Sequence, residues 1–260
     1  KDERYNLTDP ESRVMLGSNH YSYIQGYNAK FTISNNDIIL DYEADTLHEK
    51  YSSQRMIDVV EEKKRSLGVI AGTKYLFDSG YENMASILNY ENKGIDVYID
   101  TRERSFSDNV HKRNFFNRVE KKADGYYLRC IGNREVKGSK IEARRKIIFN
   151  FRRKGCKECI NYSECYKNIK NSTEQKSVSF DLLEVENKES IDKYIKKLKS
   201  IEGQKIYHKR IGKEHVFANI KNQKGYYQTA YRGLEKVNAE LSWICLAHNL
   251  MKYVNIQLQG

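Results

Sequence analysis

Residues 207–221, YHKRIGKEHVFANIK, constrain this chain more than any other stretch. At about 100° per residue, Tyr207, Arg210, Glu214 and Lys221 fall within a ~60° arc of one helix face. Ile206, Phe217 and Ile220 lie beside that arc. A carboxylate is thus flanked by an arginine and a lysine at the edge of an apolar stripe. Two readings stand. One is an ordinary amphipathic helix with i,i+4 ion pairs. The other is a site where the carboxylate holds a cation and the two bases hold phosphodiester oxygens. Gly212 costs about 1 kcal/mol inside a helix, so the regular turn is expected to start after it.

Upstream, the apolar residues Tyr27, Ala29, Phe31 and Ile33 alternate with polar ones, the strand period. The cluster Asn35-Asn36-Asp37 marks a turn, and Ile38-Ile39-Leu40 opens a partner strand, predicting an antiparallel hairpin. Met56, Val59, Val60 and Leu67 suit a helix over 53–66. Tyr75-Leu76-Phe77 reads as a short buried strand ended by Asp78. Ser79 and Glu82 form a capping-box pattern for a helix to about Tyr90, stopped by Asn92-Lys93-Gly94. A further strand over 95–99 completes a β-α-β unit. Asp78 then sits at the carboxyl rim of a strand, where open α/β sheets bind ligands. The alternative is that Asp78 only caps the helix. Residues 1–25 read as polar and irregular.

From 101 to 197 the pattern changes to a charged segment of low helical periodicity, an insertion between Asp78 and Glu214. It holds Cys130, then Cys156, Cys159 and Cys165. Two thiolates two residues apart suit one metal, and two more complete a tetrahedron. The expectation is a four-cysteine Zn²⁺ site in a zinc-ribbon-like module, with His111 as a substitute ligand; free buried thiols are the alternative. Arg144, Arg145, Lys146, Arg152, Arg153 and Lys154 lie nearby with Phe149 and Phe151 between them. Basic residues interleaved with aromatics suit a nucleic-acid surface, or else a strand edge guarded by charge. Residues 188–200 read as a Lys-rich, solvent-facing helix. The final helix carries Leu234, Val237, Leu241, Ile244, His248 and Met251 on one stripe, widened by Trp243, Leu246 and Leu250. His248 and Cys245 read as core residues.

The 260 residues carry a formal charge of +11, which favours a polyanionic partner. No run of about 18 apolar residues is present, so no membrane span is expected. No signal peptide is visible, which favours thiolate chemistry over disulfides.

The spacing Y-x2-R-x3-E-x6-K resembles the signature around the acidic residue of DDE transposases of bacterial insertion sequences. GLEKVNAELSWICLAHNLMKYV, residues 233–254, is similar to the closing helix of one branch of that family. TDPESRVM, GYNAKFTIS and FDSGYEN resemble the same branch. The resemblance implies an α/β fold of the ribonuclease-H-like kind, a mixed sheet with helices. Residues 1–100 would form the first part of the core, 101–197 the insertion, and 198–260 the closing helices with the Glu. It further implies Asp78 and Glu214 as catalytic ligands of Mg²⁺ or Mn²⁺, with Tyr207, Arg210 and Lys221 on DNA phosphates. DNA is the implied partner, both element ends and target, bound by a homodimer in the bacterial cytoplasm and on the nucleoid. The implied reaction is DNA cleavage and strand transfer in transposition; the alternative is a zinc-stabilised DNA-binding remnant without catalysis. The family's first Asp is expected upstream of residue 1, with the opening strand, so the chain reads as a piece of a longer protein. Asp9 is the nearest acidic substitute.

Overall fold

The computed structural model describes residues 6–16, 21–70, 72–101, 115–152, 156–162 and 175–259. The chain forms two compact units, Lys1–Asp100 with Leu198–Gly260, and Thr101–Lys197. Together they make a mixed α/β protein with helices and several small sheets.

The first unit begins with strands where the sequence reads as irregular. β1 (Arg13–Leu16) and β2 (Tyr23–Gly26) pair antiparallel. Tyr23 and Ile24 stay largely exposed, so β2 has no buried face to impose an alternating pattern. β3 (Asn28–Ile33) and β4 (Ile39–Asp45) form the expected antiparallel hairpin. Its tip carries Asp37 in the left-handed region at φ 62°, which Asp tolerates better than most residues. The register skips Leu40, so β4 bulges there. α1 (Ser53–Ser66) buries Met56, Ile57 and Val60.

β5 (Lys74–Phe77), α2 (Met84–Asn92) and β6 (Asp96–Ile99) follow, the two strands parallel with Phe77 beside Ile99. The capping box does not form. Ser79–Tyr81 makes its own 3-10 turn, and Asn83 caps α2 by accepting from the Ser86 amide at 3.4 Å.

The second unit opens with the meander β7 (Val119–Lys122), β8 (Gly125–Arg129) and β9 (Glu135–Lys137). A second antiparallel sheet follows: β10 (Ser139–Ile141), β11 (Lys146–Arg152) and β12 (Gln175–Asp181). α3 (Leu182–Glu186) and α4 (Lys188–Lys199) come next. The core is aromatic: Phe115, Phe116, Phe149, Phe151 and Phe180 pack with Leu128 and Ile147. The expected aromatic–basic surface is therefore corrected. Strand alternation sends Phe149 and Phe151 inward and leaves Lys146 and Arg152 outside. α4 is also not solvent-facing all round, since Ile191, Tyr194 and Leu198 are buried.

The chain then returns to the first unit through α5 (Ile201–His208), α6 (Glu214–Ala218) and α7 (Leu234–Gln259). α7 lies along β4 and buries Val237, Leu241 and Cys245. Burial pushes the Cys245 thiol up to about 12, which suits an inert core residue. Two asparagines of α7 also seal the strand edge. Asn238 accepts from the Ala44 amide at 2.8 Å and donates to the Ala44 carbonyl at 2.9 Å. Asn249 does the same to Ile39, at 2.8 Å each way. Backbone groups of residues 39 and 44 would ordinarily point to opposite edges; the bulge at Leu40 turns both outward. The freed Leu40 carbonyl accepts from Lys63. Met251, expected on the stripe, and Trp243, Leu246 and Leu250, expected to widen it, are exposed.

Candidate active site

Asp78 is the first residue beyond β5. Tyr75 and Phe77 anchor the strand in the core, which fixes the carboxylate at its rim. Oδ1 accepts from the Ser79 amide at 2.6 Å, so Asp78 caps the 3-10 turn as well. Asp100 occupies the equivalent place beyond β6, in register with Asp78 on the neighbouring parallel strand. Sequence reading missed Asp100; the signal was the same strand-then-Asp pattern that singled out Asp78.

The single helix face drawn for residues 207–221 does not survive. α5 ends at His208, residues 211–213 form a 3-10 turn, α6 starts at Glu214, and Asn219–Gln223 winds as a π-helix. Gly212 lies inside the 3-10 turn, where a continuous helix would have been weakened most. Arg210 nevertheless gathers the group. Its Nη1 lies 3.8 Å from Asp78 Oδ1 and 3.9 Å from Glu214 Oε1. Its guanidinium also sits 5.5 Å from the centre of the Tyr207 ring. Burial raises the Tyr207 hydroxyl pKa, and Arg210 opposes that rise. Two acidic side chains 136 positions apart in sequence thus share one cation. Both carboxylates are more than half exposed, at 54% and 69%, so the pair is open to solvent. Lys221 is exposed on the π-helical segment, while Ile206, Val216 and Ile220 are buried beneath. Phe217 packs edge-on against Phe31 at 5.4 Å.

A second acidic residue organises Glu214 from behind. Asp37 accepts from Lys213 at 2.6 Å, from Lys252 at 3.0 Å, and meets His215 Nε2 at 3.0 Å. Burial alone would raise its carboxyl pKa, but Lys213, Lys252 and His215 hold it well below the usual range. His248 Nε2, buried, meets the Asp37 carbonyl at 2.9 Å, which makes it a hydrogen-bonded core histidine. The hairpin tip therefore grips the residues on both sides of Glu214. Sequence reading saw Asp37 only as part of a turn.

Asp9 does not stand in for a site carboxylate. It accepts from the Tyr27 hydroxyl at 2.6 Å and from the Gly233 amide at 3.3 Å, a structural tie at the start of α7. Burial and this carboxylate push the Tyr27 hydroxyl up to about 12.

Of the four cysteines in the proposed zinc set, Cys130 and Cys159 converge. A Cβ at Gly132 would lie 2.6 Å from Cys159 Sγ and 3.8 Å from Cys130 Sγ, so only glycine leaves room for both. Cys156 Sγ instead accepts from Arg134 Nη1 at 3.3 Å. Cys165 and His111 lie outside the described residues. Among the described residues no three His, Cys, Asp or Glu side chains come together as a metal-binding group.

Residues 129–254 match the family model described as a transposase DDE domain. The match supports a DDE transposase. The matched span contains Tyr207, Arg210, Glu214, Lys221 and the cysteine cluster; Asp78 lies before it. No curated protein and no solved structure matches the chain. Among the described residues no helix is long and apolar enough to cross a membrane.

Proposed function

We propose that the first unit is the catalytic region of a transposase of ribonuclease-H-like fold that cuts and joins DNA. The observation that carries this reading is the shared guanidinium: Arg210 lies within salt-bridge reach of both Asp78 and Glu214. One exposed carboxylate at a strand rim and another at the start of α6 suit Mg²⁺ or Mn²⁺, which bind through one or two carboxylates and complete their shell with water and phosphate oxygens. Asp78 and Glu214 would hold the ion. A bound divalent ion supplies charge stabilisation and a more acidic water for phosphodiester attack. Arg210 balances the two acids and offers its remaining donors to a phosphate oxygen. Its buried Nε has no hydrogen-bond partner among the described residues. Tyr207 braces the guanidinium, and Lys221 supplies a second phosphate contact. The homodimer on DNA and the nucleoid location belong to this same proposal.

The test is nicking of supercoiled plasmid in Mg²⁺, alongside Mn²⁺ binding followed by electron paramagnetic resonance. Glu214→Gln and Asp78→Asn are each expected to lower nicking at least 100-fold and to weaken Mn²⁺ binding. Parent-like activity in Glu214→Gln would remove Glu214 from the site.

A second reading, DNA binding without cutting, is favoured by the absence of any three-residue metal group among the described residues. It expects duplex binding but no nicking with any divalent metal. In either case we propose that Zn²⁺ stabilises the second unit through Cys130, Cys156, Cys159 and Cys165. The convergence of Cys130 and Cys159 over Gly132 supports this. Elemental analysis of reduced protein is expected to find one zinc per chain, and none in Cys159→Ser.

A further inference from the structure

The charge of this protein is divided unevenly. Residues 101–197 contain 25 Lys and Arg against 14 Asp and Glu, the whole net charge of +11. The remainder holds 21 of each and is formally neutral. The unit with the shared guanidinium thus has no net attraction for a polyanion.

Within the second unit the two sheets differ as well. On β7–β9 three of the four cations are spent on neighbours: Lys122 and Arg129 meet Glu135 at 2.5 and 3.2 Å, and Lys137 meets Asp124 at 2.7 Å. On β11 none is. Arg144, just before the strand, and Lys146 and Arg152 at its two ends are exposed and make no ion pair among the described residues. Between the ends the outer face carries the half-buried Ile148 and the exposed Asn150. Asn150 lies opposite Ser177, which donates to it at 2.7 Å, and Ser179 follows opposite Ile148. The carboxylate on this face, Asp181, is engaged in capping α3 through the Leu183 amide at 2.9 Å.

We propose that this outer face of β10–β12 is a sequence-independent docking surface for the phosphate backbone of duplex DNA. The proposal rests on the transposase reading and adds where the polyanion is held. Lys146 and Arg152 are six residues apart, about 20 Å along a strand, matching about six base pairs of rise at 3.4 Å each. The hydroxyls and amide between them can donate to phosphate oxygens. Single strands are disfavoured as the occupant. Base stacking needs exposed aromatic rings, and Phe149 and Phe151 of this strand face the core.

The full chain is titrated by fluorescence anisotropy onto a mixed-sequence 24-base-pair duplex in EDTA, at several salt concentrations. Each phosphate contact contributes a slope of about −0.9 to log K against log salt. The triple variant Arg144→Gln, Lys146→Gln, Arg152→Gln is expected to flatten the slope by two to three. Its affinity at 100 mM salt should fall on the order of 100-fold. Arg145, in the left-handed region at φ 49°, is left unchanged so that the turn before β11 keeps its own residue. A control triple of exposed lysines in the neutral unit, Lys74→Gln, Lys93→Gln and Lys205→Gln, is expected to change neither. Circular dichroism melting confirms that both variants fold. An unchanged slope in the first triple, or an equal loss in the control, overturns the proposal while leaving the catalytic reading intact. Tighter binding of single-stranded DNA or duplex RNA also overturns it. A parent chain that binds no duplex at all removes both.

Discussion

The two units are fastened by different physics. The neutral unit relies on polar groups placed one by one. Lys30 is buried to 3% exposure, yet its ammonium meets both Asp45 oxygens at 2.6 Å, Ser52 Oγ at 2.7 Å and the Leu47 carbonyl at 3.3 Å. Asn238 and Asn249 replace a neighbouring strand, and Asp37 collects three cationic or imidazole partners. The basic unit relies on phenylalanines; Phe149 meets Phe180 at 6.1 Å and Phe116 meets Phe180 at 5.4 Å. Polar ties depend on direction, so they fix where a carboxylate points. An aromatic core is non-directional and leaves the surface free to carry charge. Under the proposed function, orientation falls to one unit and attraction to the other.

The largest expected effect tests the aromatic side. Phe149 is fully buried at the centre of its sheet. Phe149→Ala is expected to cost about 4 kcal/mol, from lost transfer energy and the cavity left behind. Hydrogen exchange read by mass spectrometry should then rise across β8 and β11. If β4 and α7 lose protection to the same degree, the two units melt as one and the comparison fails.

On the polar side Lys30→Ala comes next. Removing one partner of a buried pair costs about 3–5 kcal/mol because the other charge stays behind. Asp45 keeps some access to water at 14% exposure, so about 3 kcal/mol is expected, visible as a lower urea midpoint. A loss below about 1 kcal/mol would mean that the tie is decorative. Asn249→Ala should follow at about 2 kcal/mol, since it strands the Ile39 amide and carbonyl. Exchange at the Ile39 amide is the direct readout.

How far the sequence foretold this arrangement depends on the range over which each feature is decided. The β3–β4 hairpin, α1 and the β5–α2–β6 unit rest on local periodicity, and they appear where that periodicity places them. β2 buries too little to leave a pattern. The break of residues 207–221 into three short turns is half local and half not. Gly212 hinted at it, but the grip of Asp37 on Lys213 and His215 spans more than 170 residues and has no local trace. Asp78 was legible from its strand end. The inward rotation of Phe149 and Phe151 follows from strand alternation, which a reading by composition alone overlooks. The sealing of β4 was hidden because Asn238 and Asn249 read as polar positions on a helix until the bulge at Leu40 is known.

The smallest expected effect is also the one that separates the two units by condition. The Asp37 carboxyl titrates lower in the folded protein than an unfolded Asp near pH 3.9. Stability from that difference is present above about pH 4 and is lost as pH falls further, because the unfolded chain takes up the proton first. Urea titrations between pH 6 and 3 should therefore show a midpoint that falls on the acid side. In Asp37→Asn the fall should shrink, with a loss of about 1–2 kcal/mol at pH 6 from hydrogen bonds to a charged group. The same variant should raise exchange over residues 211–218, the segment that presents Glu214, and leave β11 unchanged. An acid-side fall that persists in full in Asp37→Asn would assign the pH dependence to other carboxylates. The hairpin tip would then be a passive neighbour of Glu214 rather than its anchor.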